Sequence, residues 1–241
     1  MTPQPNPSDS AKPLVVLLHG ILLNRWFLWP LERFLKSRGH RTLNLSYPST
    51  RSTIEGLTEE IASRISAERA KRAAPRVSLV THSLGGLLGR RLISQGLLLG
   101  AHRFVQVVPP NRGSAMARAW RDQAIYRALY GTGAGWQLGE SQDAIDEICG
   151  RPEEVEWGIV MGRTAHGLRS SLLQAPHDGV VSQSEMRITN VPTISIDMGH
   201  TPILFLPEMW HEAASFLEQG AFKESGMESP PPPPHSELSN E

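Results

Sequence analysis

Six short apolar runs, rich in β-branched residues, recur along the chain from Pro13 onward: PLVVLLHG, HRTLNLSYP, RVSLVTHS, RFVQVVPP, VEWGIVMG and VPTISIDMG. Nearly all are apolar throughout and do not alternate with polar residues, so they read as strands buried on both faces. A sheet of such strands needs a layer of helices on each side, which is the arrangement of parallel sheets. The expected fold class is therefore α/β, a mostly parallel sheet of about six strands with helices on both faces.

Helical signals fill the intervals. Pro30 suits a first helical position, Leu31, Phe34 and Leu35 form a stripe, and Gly39 follows as a stop. Ser52 and Glu55 have the spacing of a capping box, followed by Ile54, Leu57, Ile61 and Ile65 on one face. The basic run ERAKR then reads as the solvated outer face of that helix. Leu84, Leu87, Leu88 and Leu92 recur at helical spacing, and Gly85, Gly86 and Gly89 among them allow close backbone approach. A last helix is expected over 207–220, with Trp210, Ala213 and Leu217 inward. Residues 113–150 break the pattern, with one helical candidate over 114–130 and a GTGAGWQLGE stretch. So long an excursion between two strands is expected to form a lid or binding wall.

The 241 residues suffice for one core, because a domain of this size buries roughly 70% of the surface its unfolded chain exposes. We expect that domain over 13–220, between a disordered tail at 1–12 and a disordered proline-rich tail at 221–241. Lysine plus arginine equals aspartate plus glutamate at 24 each, so nothing in the charge favours a nucleic acid. The one cysteine, Cys149, excludes an internal disulfide framework and fits a reducing, cytoplasmic setting. MTPQPNPSDSAKP has neither a basic start nor an apolar stretch, so no secretory signal is expected there. The apolar stretch 14–23 is interrupted by His19 and Gly20 and falls far short of the roughly 20 residues of a membrane span.

The segment VSLVTHSLGGLLG carries the chemistry: a buried strand runs into Ser83 and a glycine-rich helix begins at once. A turn this sharp projects the serine above the sheet edge, and small neighbours relieve the crowding. The amide of Leu84, at the positive end of the helix, can then face a developing oxyanion.

With these residues the chain resembles the α/β-hydrolase superfamily, and in organisation its small bacterial lipases and esterases, over residues 13–220. Thr81 stands where the family's motif begins with glycine. In LVVLLHGILLN the His-Gly pair matches the family's first core strand, so the resemblance places the second oxyanion amide at Ile21 and gives His19 a bracing role. Residues 47–49, YPS, likewise resemble a loop-shaping element. Asp178 in PHDGVVS and His200 in IDMGHTPIL follow Ser83 in the order serine, acid, histidine and match the family's acid turn and Gly-His motif. The implied division of labour is that His200 takes the Ser83 proton while Asp178 orients the imidazole. Asp197 is the other acid in that part of the chain. His82 is expected to pack or line the oxyanion side, and His177 beside Asp178 makes too poor a ligand set for a metal.

Trp26, Trp120 and Trp136 are candidates for an acyl pocket, whereas Trp29 is expected in the core. The resemblance thus implies a serine carboxylic-ester hydrolase without cofactor or metal, acting on a small ester or lipid-like molecule. A thioesterase or acyltransferase would use the same residues, and a non-catalytic hydrolase-like binding module would use the same fold.

Overall fold

The computed structural model describes residues 12–72, 76–153, 155–164 and 172–223. The tails expected at 1–12 and 221–241 therefore lie outside the described residues except for Lys12 and 221–223. Each apolar run contains a strand: β1 (Leu14–Leu18), β2 (Arg41–Leu45), β3 (Val77–His82), β4 (Ala101–Val107), β5 (Glu156–Arg163) and β6 (Thr193–Asp197). The sheet order is β2-β1-β3-β4-β5-β6 and all five pairings are parallel. Four major helices accompany it: α1 (Trp29–Ser37), α2 (Ile54–Arg72), α3 (Leu84–Ser94) and α8 (Pro207–Gln219). From β1 the chain steps one way to β2, and from β3 it steps the other way to β4. Right-handed crossovers then place α1 and α3 on opposite faces. The helix pairings agree with this, α1 packing on α8 and α2 on α3.

The order in which the chain adds strands reverses between β1 and β3, and the crevice beyond their carboxyl ends is where this architecture places ligands. Gly20 and Ser83 lie at those two ends. The core behind them is aliphatic: the stripe Ile54, Leu57, Ile61 and Ile65 of α2 and the leucines of α3 are fully buried.

Two local expectations are corrected. α2 begins at Ile54, capped by the Thr53 hydroxyl, which accepts from Gly56 N at 3.3 Å. Ser52 and Glu55 do not form the expected box, because Gln137 occupies the helix start. Its Oε1 accepts from Ile54 N at 2.7 Å and its Nε2 donates to Glu55 Oε2 at 2.9 Å.

The single helix expected over 114–130 is two, α4 (Ala115–Trp120) and α5 (Ala124–Tyr130), followed by α6 (Ala134–Gln137) and α7 (Gln142–Cys149). Tertiary contacts outweigh the local periodicity here: Gln123 is extended, and the Tyr126 hydroxyl donates to Gly135 O at 2.9 Å. The glycines of this stretch serve close packing, since a Cβ on Gly131 would fall 1.9 Å from Thr50 O and one on Gly133 2.3 Å from Ser52 O.

The excursion is bolted to the core at its far end by Arg90 of α3, which is 1% exposed. Its guanidinium donates to Gly150 O and Asp146 Oδ1, both at 2.6 Å, and to Asn111 O at 2.9 Å. At the carboxyl end the packed fold runs past the expected boundary at 220: Phe222 is buried against Phe216, ring centroids 4.8 Å apart, and Lys223 N donates to Glu212 Oε2 at 2.7 Å. Among the described residues no helix is long and apolar enough to cross a membrane.

Candidate active site

Ser83 follows β3 directly, in a conformation that few side-chain-bearing residues adopt, φ 52° and ψ −121°. Such strain persists only where the surroundings hold it. Ser83 N donates to Val107 O at 2.9 Å, Gly86 N donates to Ser83 O at 2.8 Å, and the neighbouring backbones close in around the turn. A Cβ on Gly85 would lie 2.5 Å from Leu18 O, and one on Gly20 would lie 3.1 Å from Ser83 Cβ. Thr81, in place of the family's first glycine, fits because the clearance has moved to the facing helix. Its hydroxyl donates to Val105 O at 3.3 Å, and its methyl lies opposite Gly89, whose Cβ would come within 3.4 Å of it.

The two predicted oxyanion amides flank this turn. Leu84 is the first residue of α3 and has no intrahelical acceptor for its N–H. In the loop after β1, Leu22 N donates to Ser49 Oγ at 3.2 Å and Leu23 N to Gly20 O at 3.3 Å, leaving Ile21 N without a partner among the described residues. Leu22 carries a positive φ of 61°. His19 and Tyr47 brace the base of the loop. Their rings stack at 4.0 Å, Tyr47 N donates to His19 Nε2 at 3.3 Å, and the Tyr47 hydroxyl donates to His19 O. Since Nε2 accepts, the proton sits on Nδ1, which donates to Gly20 O at 2.8 Å. Burial lowers the His19 pKa below 6.5 and keeps the ring neutral.

Asp178 and His200 come together although 22 residues separate them. His200 Nδ1 donates to Asp178 Oδ2 at 2.5 Å and His200 N donates to Asp178 O at 3.0 Å. The other oxygen, Asp178 Oδ1, accepts from Val180 N and Val181 N, both at 2.8 Å. His177 supports the turn by accepting from Gly179 N at 3.1 Å through Nδ1. Asp197 is engaged elsewhere: its carboxylate is 73% exposed and paired with Arg163. Part of the long connection before Asp178, residues 165–171, lies outside the described residues.

Ser83 and His200 both face a cavity of about 490 Å³. Its walls come from the loop after β1 (Ile21 to Leu23), from α4 and α5 (Met116, Trp120, Ile125, Leu129) and from Val180 and Val181. No lysine, arginine, aspartate or glutamate lines it among the described residues. Residues of the excursion thus supply much of this wall. Of the three pocket tryptophans only Trp120 lines this cavity. Trp26 is turned outward, 62% exposed, into a separate small cleft with Trp29, Glu32 and Asn44. Trp136 is drawn under Arg121, whose guanidinium lies 3.9 Å from the ring centroid. Trp29, expected in the core, is 45% exposed, with Arg33 over its ring at 5.1 Å. Ile125 and Leu129, the aliphatic side of the wall, are not among the residues expected there, because the sequence suggests one helix over 114–130 where two form.

These features define a class. A family model of the alpha/beta hydrolase family matches residues 15–218, and the chain belongs to that family. Its fold is shared with the mature form of the lipase BlEst2 from Bacillus licheniformis, at TM-score 0.69 and 16% identity, over 91% of this chain and 95% of the lipase. A pyrethroid hydrolase from Sphingobium faniae JZ-2 superimposes at TM-score 0.57 and 14% identity, over 86% of this chain and 98% of that one. Lipase B of Aspergillus fumigatus does so at TM-score 0.61 and 15% identity, over 88% of this chain but 54% of that one. No curated protein sequence matches.

Proposed function

We propose that the chain is a serine hydrolase of neutral carboxylic esters that works through an acyl-enzyme. The observation that carries this reading is the Asp178–His200 pair, Nδ1 to Oδ2 at 2.5 Å, whose imidazole opens with Ser83 onto one apolar cavity. Asp178 holds the proton on Nδ1, so Nε2 is the free base. In the proposed reaction Ser83 Oγ attacks the acyl carbon and its proton passes to His200 Nε2. The tetrahedral oxyanion accepts from the N–H groups of Ile21 and Leu84. Collapse expels the alcohol, which takes the proton from His200. Water, deprotonated by His200, then attacks the acyl-enzyme, and the acid leaves as Ser83 regains its proton.

The lining sets the substrate class. An uncharged aliphatic and aromatic wall favours an apolar acyl group and strips water from a charged one at a cost nothing in the cavity repays. The test is covalent labelling by a fluorophosphonate beside turnover of p-nitrophenyl esters of increasing acyl length. Labelling and turnover that Ser83→Ala abolishes support the enzyme. Folded protein that takes no label and turns over no ester would move the reading to a binding module.

A further inference from the structure

His82 has no part in the chemistry just described, yet it lies beside Ser83, Gly20 and His200 and is among the residues lining their cavity. It is the last residue of β3, next to Ser83, and only 1% exposed. Its Nε2 donates to the backbone carbonyl of His200 at 3.0 Å, and the two rings lie 5.0 Å apart, centroid to centroid. Its other nitrogen, Nδ1, is buried without a partner among the described residues, under Gly20, where a Cβ would stand 2.6 Å away.

A buried histidine with one nitrogen unpaired is a costly way to fill space, because an unsatisfied acceptor keeps its full desolvation penalty. An aliphatic side chain at the end of β3 would avoid that. What the imidazole supplies instead is the donor to His200. The other bonds of His200, through its amide and its Nδ1, both run to Asp178. Acid and base are therefore joined to each other, on the loop after β5 and the loop after β6. The bond from His82 joins that unit to the strand carrying the nucleophile.

We infer that His82 is a positioning residue, which fixes the distance and angle between the imidazole of His200 and Ser83 by tethering the His200 carbonyl. The inference rests on the proposed serine-hydrolase reading. The tether has to be neutral as well as rigid, since a cation beside His200 would oppose the imidazolium formed during acyl transfer. Burial meets that need by pushing the His82 pKa down to about 3.

The test compares His82→Leu, which keeps the bulk and removes the donor, with His82→Gln, whose amide nitrogen can reach the same carbonyl. A misplacement near 1 Å costs on the order of 10²-fold in rate. We expect His82→Leu to lower kcat on a soluble short-chain ester about 10- to 100-fold at nearly constant KM, and His82→Gln to recover to within about threefold. Melting temperature should not follow that order, because leucine also removes the orphaned Nδ1. A readout independent of turnover is the low-field proton of the His200–Asp178 hydrogen bond. Its exchange should quicken in His82→Leu and not in His82→Gln. Full activity in His82→Leu, or equal losses in both variants that track melting temperature, would overturn the tether while leaving the hydrolase reading intact. An unmodified protein that neither labels nor turns over ester would remove the reading itself, and unchanged proton exchange would then dispose of the tether as well.

Discussion

Asp178→Asn exchanges one carboxylate oxygen for an amide nitrogen and leaves the rest of the turn in place. Oδ1 accepts from Val180 N and Val181 N, both at 2.8 Å, and Oδ2 accepts from His200 Nδ1 at 2.5 Å. Asparagine has one carbonyl oxygen, and the two backbone donors claim it, so the NH2 group faces His200. Two donors cannot share a hydrogen bond. The imidazole therefore moves its proton to Nε2, and the nitrogen that should accept from Ser83 becomes a donor. In serine proteases the equivalent change costs about 10⁴ in kcat, or about 5 kcal/mol at about 1.4 kcal/mol per tenfold. The fold should survive, because what is lost is a charge-assisted hydrogen bond worth about 2 kcal/mol, or about 4–8 °C in Tm for a chain of this length. Asp197→Asn is the matched control: its carboxylate is 73% exposed and paired with Arg163, an arrangement worth roughly 0–1 kcal/mol. Initial rates on a soluble ester, normalised to fluorophosphonate-titrated sites and read beside Tm, decide the matter. Equal losses in the two variants, or a larger loss in Asp197→Asn, would refute the argument.

Gly85→Ala should lower the urea midpoint by an amount equivalent to about 1–3 kcal/mol, because its Cβ would stand 2.5 Å from Leu18 O and 2.9 Å from His19 O. An unchanged midpoint would mean that the turn is not as tightly packed as these distances require. Truncation after Gly220 removes buried Phe222 and should cost about 3 kcal/mol, whereas truncation after Lys223 should leave Tm nearly unchanged; equal melting of the two truncations contradicts this. Stability should also decline as pH falls from 6.5 toward 3. Unfolded, His82 takes a proton below 6.5, but folded it does so only at about 3, through burial first and the neighbouring His200 second. The unfolded state therefore binds more protons in that window, at about 1.4 kcal/mol per pH unit for each such histidine. His82→Gln should make the acid limb of a stability-versus-pH curve shallower, and an identical limb would show that the histidine does not contribute.

The periodicities that set the fold are local, and they were legible before any contact was known. Six apolar runs became six parallel strands, and the leucines after Ser83 became the buried stripe of α3. The candidate site was legible where backbone crowding restricts residue type: the glycines after Ser83 mark its turn in the sequence, and a Cβ on Gly85 would indeed stand 2.5 Å from Leu18 O. Asp178 and His200 could be ordered along the chain, but their meeting at 2.5 Å depends on two loops from adjacent strands. Some of the features that sequence misjudged depend on partners remote in the chain. Glu55 belongs to Gln137, 82 residues on, and not to a capping box with Ser52. Trp26 and Trp136 are held away from the cavity by their own surroundings, one beside Trp29 and Asn44 and one under Arg121. His82, expected to pack or to line the oxyanion side, is among the residues lining the Ser83 cavity, but nothing local shows that its ring meets a carbonyl 118 residues away. Local steric and hydrophobic constraints are written into neighbouring residues, whereas a donor's acceptor is chosen by the assembled sheet edge.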